Sequence, residues 1–528
     1  MMRKCWAAAH WPWMGPVLSG LLIGTSYIPF PPWASLFCLV PLWLFWQRQQ
    51  RLKPVVLGAF ITSAIYTLIG FNWVTYTLHE FAQVNWLLAA VGMMLFALFG
   101  HLFLPVAGIV WFVMSRWLAA SERESLLLMA LLTALAEFYV PMLFKWNFGY
   151  SWYGAGLPLF QWAEFVGFTG LSMLTILANL AALHIWRHRQ TWAAKAGLAA
   201  SLVVFIGLNA GGIWLKTRLP APDDTFDVLL VQANIGNAQK QAMEHGKAYR
   251  ADILTRYFET TDDGLAQTPA VDFILWSETA FPSLLGGEYN SSFYADLLSQ
   301  FVRNRQVALL TGAYGKDANG DITNSLFVID PQGNVTEPHY SKTHLLALGE
   351  YIPGEATFPW LKQWLPMVSH FGRGPGPTML LTVNGFKMGP QVCYESLFPE
   401  FSKGLADLGA QFIVNVTNDS WYGIWQEPWQ HLHMTLARGV EFRRPVLRAT
   451  NTGISTVALA NGDVLPLSPL NSRWAASYHV PLQTQPQPTF YQRHFHLMPT
   501  LLWCGLLGLI GLRLGTRHFS HRFGNSPE

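Results

Sequence analysis

Charge is what this chain has least of. Aspartate, glutamate, lysine and arginine make up 12% of its 528 residues, against 51% hydrophobic residues. That balance is too apolar for an ordinary soluble protein of this length, and it points to membrane embedding. The net charge of +3 excludes the basic footprint of a nucleic-acid-binding protein. Cysteine is also scarce, with only Cys5, Cys38, Cys393 and Cys504. Their spacing fits neither a disulfide framework nor a zinc site. Cys5, Cys38 and Cys504 lie in or beside apolar stretches, where a lone thiol behaves as a small hydrophobe. Cys393 lies elsewhere and has to be read from its neighbours. No internal repeat is evident.

Long apolar runs are what the chain does have. Crossing about 30 Å of hydrocarbon takes roughly 20 apolar residues, and stretches near residues 14–31, 33–47, 54–77, 86–114, 124–143, 167–186, 195–214 and 496–514 are candidates. The sequence thus predicts about eight spans. Lysines and arginines mark alternate connections: Arg3 and Lys4; Arg48, Arg51 and Lys53; Arg116 and Arg123; Arg187, Arg189 and Lys195; Arg513, Arg517 and Arg522. The other connections are nearly bare apart from Lys145. By the positive-inside rule both termini are expected in the cytoplasm. The segment after the seventh span is then expected on the opposite side. Arg3 and Lys4 before an apolar run could also open a signal peptide, but a small-residue cleavage site is lacking and a retained first span is expected. The expected organisation is a transmembrane domain over 1–214, an exported domain over 215–495, and a last span with a cytoplasmic tail over 496–528.

The exported segment has a different texture. β-rich runs recur at 226–235, 271–278, 307–314, 324–330, 411–419 and 455–462, alternating with helix-like stretches such as 249–261 and 291–305. This alternation predicts a layered α/β domain, with LPAPDD (219–224) as its linker. Reactive groups in such folds sit where strand ends meet loops. VDFILWSET ends in that way at Glu278, HYSKTHLLALGEYIP carries Lys342 and Glu350, and GPQVCYESLFPE carries Cys393. A thiol needs a base to become a nucleophile, and a carboxylate supplies one. An ammonium stabilises both the thiolate and the oxyanion formed when it attacks an acyl carbonyl. The backbone N–H of Tyr394 is a further candidate donor. Chemistry of this kind needs no metal or organic cofactor. Each residue taken alone is more commonly a surface ion pair or part of a core; it is their combination that singles them out.

In order along the chain, Glu278, Lys342 and Cys393 with their flanking motifs resemble the nitrilase, or carbon-nitrogen hydrolase, superfamily, whose Glu-Lys-Cys triad stands on an αββα sandwich. WSETAFP, GEYIP, CYES and NDSWYG (418–423), with apolar spans on both sides, resemble more narrowly the bacterial apolipoprotein N-acyltransferases. The resemblance implies a two-step transfer. Cys393 takes an acyl chain from a membrane phospholipid as a thioester, and the α-amine of the diacylglyceryl-modified N-terminal cysteine of an apolipoprotein receives it. Glu278 is then the general base, Lys342 the oxyanion-stabilising cation and Cys393 the nucleophile. Glu350, Tyr394 and Glu395 support them, and the sequence does not divide duties between the two glutamates. The location implied is the bacterial inner membrane, with the catalytic domain periplasmic. There are two departures: Gln241 stands where relatives often carry tryptophan, and Lys145 replaces a proline in FKWNFGYS (144–151).

ATFPWLKQWLPMV (356–368) crowds Trp360, Trp364 and other apolar residues into a Pro-broken run. It reads as a lid dipping into lipid, or else as a buried core loop. Glu137 and His101 fall within spans, where ionisable groups are costly; helix pairing and function are both open for them. HLH (431–433) has a spacing that would suit metal ligands on a strand, but no acidic or cysteine partner is expected nearby, and it is read as structural. The alternative function is a membrane-tethered amidase that releases its acyl group to water. A transporter or receptor carrying an inactive α/β domain is a third reading, but paired broken helices are not evident.

Overall fold

The computed structural model describes residues 13–236, 248–347, 349–352, 354–364 and 368–523. Arg3, Lys4, Cys5 and Gln241 therefore lie outside the described residues. The chain forms two compact units. One comprises Met1–Asn72, Ala90–Leu215 and His494–Glu528, and the other Trp73–Ala89 and Lys216–Arg493.

The first unit is helical. Four helices among the described residues are long and apolar enough to cross a membrane: Leu52–Gly70, Pro158–Arg187, Trp192–Thr217 and Leu497–Thr516. Met14–Gly24, Trp86–Phe99 and Phe103–Trp117 are apolar but shorter. The run expected as one span over 86–114 is divided between the last two, with Gly100 and His101 at the break. The run at 33–47 yields a 3-10 turn over Pro32–Leu36 and a short helix over Val40–Gln47, in keeping with the helix-restricting prolines at 31, 32 and 41. The helix Glu122–Tyr139 opens with a capping box: the Ser121 N–H donates to Glu124 Oε2 at 2.6 Å and the Glu124 N–H to Ser121 Oγ at 3.5 Å. Between them they satisfy donors that a helix start leaves unpaired. Glu137, buried on that helix, accepts from Ser172 Oγ at 2.7 Å, and His101 Nδ1 lies 2.9 Å from Thr67 Oγ1. Helix-to-helix pairing thus accounts for Glu137, whereas His101 sits at a break between helices, bonded to Thr67 through one ring nitrogen.

The second unit is a two-sheet sandwich. One sheet has six strands in the order β11-β1-β2-β3-β4-β5. These are β1 (Asp224–Gln232), β2 (Phe273–Leu275), β3 (Ala308–Lys316), β4 (Ile322–Ile329), β5 (Val335–Ser341) and β11 (Trp474–Leu482). The other has five in the order β10-β9-β8-β7-β6: β6 (Leu381–Val383), β7 (Phe386–Val392), β8 (Phe412–Thr417), β9 (Val446–Thr450) and β10 (Thr456–Ala458). β1, β2 and β3 run parallel, as do β7, β8 and β9.

Alternate residues of a strand face opposite sides, and the cores sort accordingly. Phe226, Val228 and Leu230 pack with Met388, Phe412, Val414 and Leu447 in a core shared by the two sheets. Leu229 and Val231 instead join Leu254, Tyr257, Leu298 and Phe301, from helices α1 (Ala248–Gln267) and α2 (Phe293–Arg305). Helices α3 (Pro399–Asp407) and α4 (Glu427–Phe442) accompany the second sheet. The layers are therefore αββα. Trp73, at the start of the 73–89 segment, belongs to this unit: its indole N–H donates to Gln430 Oε1 at 3.1 Å and its ring meets Tyr422 edge-on.

Candidate active site

Strand ends carry the reactive side chains to one edge of the sandwich. After β2 the backbone stays beside β3, the Trp276 N–H donating to the Leu310 carbonyl and the Gly312 N–H to the Ser277 carbonyl. This brings Glu278 against the middle of β3. Gly312 is required there: a Cβ on it would stand 2.5 Å from the Thr279 nitrogen and 2.7 Å from Glu278 Cα. Lys342 directly follows β5, with its N–H donating to the Asn324 carbonyl at 2.8 Å and its carbonyl accepting from the Gly374 N–H at 2.8 Å. Glu350 closes a turn in which the Leu346 N–H donates to Glu350 Oε2 at 2.8 Å.

These segments converge on the Lys342 ammonium, which is buried between two carboxylates. Nζ lies 2.7 Å from Glu350 Oε2 and 3.4 Å from Glu278 Oε1. Asn324 Nδ2 bridges the same carboxylates, donating to Glu278 Oε1 at 2.6 Å and to Glu350 Oε1 at 3.2 Å. Burial works against the charged ammonium, but Glu350 and Glu278 outweigh it and hold the Lys342 pKa above the ordinary lysine range. The lysine is a fixed cation at neutral pH.

Cys393 follows β7 as the first residue of the 3-10 turn Cys393–Leu397 and has φ +52°. A side chain in the left-handed region is strained and persists only where its surroundings hold it. Here the Cys393 carbonyl accepts from Ser396 Oγ at 3.1 Å, Asn415 Nδ2 at 3.1 Å and His431 Nε2 at 3.4 Å. Burial and then the Glu278 charge push the thiol pKa up, while the Lys342 charge lowers it in part. The resting sulfur is therefore protonated. Its proton has to leave during attack rather than before it.

The two supporting glutamates separate. Glu350 pairs with Lys342. Glu395 accepts at Oε1 from Tyr340 OH (2.6 Å) and the N–H groups of Thr343 (2.6 Å) and His344 (3.1 Å), and at Oε2 from the Val392 N–H (2.8 Å). It ties the loop after Lys342 to the strand end before Cys393. Burial lifts its pKa to about 7 despite those donors. Tyr394 stands edge-on to Phe398. Trp360 is half exposed beside Phe358; the side chain of Trp364 lies outside the described residues.

HLH is not on a strand and does not lack acidic neighbours, which corrects the sequence reading. It lies on α4, and His431 Nδ1 is 3.1 Å from Asp419 Oδ1 and 3.4 Å from Glu427 Oε1. Glu427 is one helical turn away, at i−4, a spacing that a strand reading hides. Asn324 was missed as well; it lies in a polar Thr-Asn-Ser run near the start of β4, which gives no signal of its own.

Residues 228–484 match the carbon-nitrogen hydrolase family model, and residues 19–181 match that of the apolipoprotein N-acyltransferase N-terminal domain. A curated apolipoprotein N-acyltransferase of Bdellovibrio bacteriovorus is 40% identical, over 94% of this chain and 92% of the relative. The chain belongs to the apolipoprotein N-acyltransferase family. A second such N-acyltransferase, from Geobacter metallireducens, is 29% identical over 86% of each chain. Among solved structures, an amidase from Nesterenkonia sp. is 18% identical with a TM-score of 0.36, covering 54% of this chain and 98% of that one. In this N-acyltransferase-family chain the N-terminal match falls on the helical unit apart from residues 73–89, and the hydrolase match falls on the sandwich unit.

Proposed function

We propose that the protein transfers an acyl chain from a membrane phospholipid to the α-amine of the diacylglyceryl-cysteine at the N-terminus of apolipoproteins, by way of a thioester on Cys393. The observation that carries this reading is Lys342 held between Glu278 and Glu350, with the charges of all three acting on the Cys393 thiol. In the first step Cys393 Sγ attacks the phospholipid ester carbonyl as Glu278 takes its proton. The oxyanion is stabilised by the Lys342 ammonium, with the Tyr394 N–H as a second donor. Collapse breaks the ester C–O bond, and Glu278 returns the proton to the departing lysophospholipid oxygen. In the second step the neutral α-amine attacks the thioester, Glu278 accepts the amine proton, the C–S bond breaks and the thiolate regains a proton. Glu350 fixes Lys342, and Glu395 fixes the backbone on both sides of the pair.

The donor is a lipid and the acceptor a lipidated protein, so the thiol is supplied from a bilayer. The four long apolar helices support a membrane location, and in this reading Met14–Gly24, Val40–Gln47, Glu122–Tyr139 and the pair Trp86–Phe99 and Phe103–Trp117, taken as one crossing, complete about eight. The alternation of basic connections supports cytoplasmic termini and a periplasmic catalytic domain in the inner membrane. The half-exposed Phe358 and Trp360 support a lipid-contacting lid. The domains proposed remain 1–214, 215–495 and 496–528.

The test is product identity. With phospholipid vesicles and a diacylated lipopeptide bearing a free α-amine, one N-acylated peptide is expected per lysophospholipid released. Free fatty acid formed in place of acylated peptide would overturn the reading in favour of an amidase-type hydrolase.

A further inference from the structure

Behind Cys393 lies a cluster of charge that the reaction above does not use. Asp419 follows β8 in the 3-10 turn Asp419–Trp421, Glu427 opens α4, His431 lies one turn further along, and Arg448 stands on β9. All four are buried. Arg448 Nη2 donates to Asp419 Oδ2 at 2.7 Å, and its Nη1 to Asn415 Oδ1 at 2.8 Å and Thr435 Oγ1 at 3.1 Å. Among the described residues, Asp419, Glu427 and His431 bring potential metal-ligand atoms within 4.8 Å of one another. Arg448 already supplies the positive charge that Asp419 balances, and the second nitrogen of His431 is directed at a backbone carbonyl, so the trio is an ion network.

The geometry dictates how many protons the ring carries. Nδ1 faces the Asp419 carboxylate at 3.1 Å with Glu427 Oε1 at 3.4 Å, and Nε2 faces the carbonyl oxygen of Cys393 at 3.4 Å. A backbone carbonyl can only accept, and so can the ionised Asp419. A neutral imidazole donates from one nitrogen alone, whereas an imidazolium donates from both.

We propose that His431 is a doubly protonated clamp on the Cys393 carbonyl, a positioning residue that, with Asn415, fixes the strained backbone from which the thiol is presented. The charges around it agree. On His431, burial and Arg448 favour the neutral ring, but Asp419 and Glu427 prevail and raise its pKa. Burial opposes ionisation of Asp419, yet Arg448 and His431 hold it down at about 2. Glu427 is lifted to about 7 by burial and by Asp419. The buried Tyr422 hydroxyl is the other titratable group in the field of these carboxylates. With all four groups ionised the cluster is neutral, as a buried network needs to be.

The inference rests on reading Cys393 as the nucleophile, and its test separates the two. The rate of acyl-Cys393 formation from phospholipid vesicles, without acceptor, is measured in the wild type, His431→Gln and His431→Asn. Glutamine carries an amide N–H to about the place of Nε2 and is expected to stay within a few-fold of wild type. Asparagine falls short of the carbonyl and is expected to lose at least tenfold in the maximal rate of acylation, with the phospholipid concentration for half-maximal rate unchanged. Equal rates in the two variants would overturn the clamp. If either variant fails to fold, nitrogen-15 spectra of histidine-labelled protein decide, with a His101→Gln protein removing the signal of the other buried histidine: two protonated ring nitrogens on His431 at pH 7.5 are expected, and a neutral ring would overturn the proposal. A wild type that never acylates Cys393 would instead sink the nucleophile reading, while the spectra still report on the clamp.

Discussion

The ammonium of Lys342 is shared by two carboxylates that belong to different parts of the chain, and a third carboxylate, Glu395, never reaches it among the hydrogen bonds of the site. The chemistry of each residue type was legible in the motifs, but the division of labour was not. Glu350 and Glu395 are equivalent as letters, and only the fold decides which of them faces Lys342 and which faces backbone N–H groups. Asn324, Asp419 and Arg448 were illegible for the same reason, since their partners lie 46 and 29 residues away. Glu395 carries a prediction. Its carboxyl titrates at about 7 in the fold against ~4.3 in an unfolded chain. A raised pKa means that the folded state holds the proton longer, so this group's contribution is full below ~4.3 and is lost as pH rises through about 7. The melting temperature of Glu395→Gln should therefore fall less between pH 5 and 7.5 than that of the wild type. At pH 5 the variant should be the less stable by about 1–3 kcal/mol, because an amide nitrogen is turned toward the buried Val392 N–H. Parallel pH profiles would contradict this account.

At the scale of elements, strands β1, β3, β4 and β8 were readable because their apolar runs are buried on both faces. β5 (VTEPHYS) and β11 (WAASYHVPL) were not, since each lies at a sheet edge and mixes polar residues or proline into an outer strand. Even so, β5 delivers Lys342. The expected strand at 271–278 pairs regularly only over Phe273–Leu275; beyond it the chain is held to β3 by single bonds, which frees Glu278 to turn into the site. Gly312 makes that approach possible. Gly312→Ala should cost about 1–3 kcal/mol through overpacking and lower acyl-Cys393 formation more than tenfold as Glu278 is pushed off Lys342. An alanine variant of full activity would mean that the contact relaxes without moving the carboxylate.

For the whole molecule, low charge and apolar runs point to membrane embedding, but hydropathy cannot see where helices stop. Gly100 and His101 divide one run, and prolines shorten another. Trp360→Ser should reduce turnover of vesicle-embedded phospholipid at least threefold while sparing a short-chain soluble ester; equal loss on both would assign Trp360 to the core of its loop. The central claim is that Cys393 carries the acyl group from a lipid to a lipidated protein. Intact-mass analysis of protein incubated with phospholipid, before and after a diacylated lipopeptide is added, tests it most directly. The account predicts one acyl increment on Cys393 that disappears when the peptide becomes N-acylated; peptide acylated under the same conditions with no increment on Cys393 at any time would contradict it.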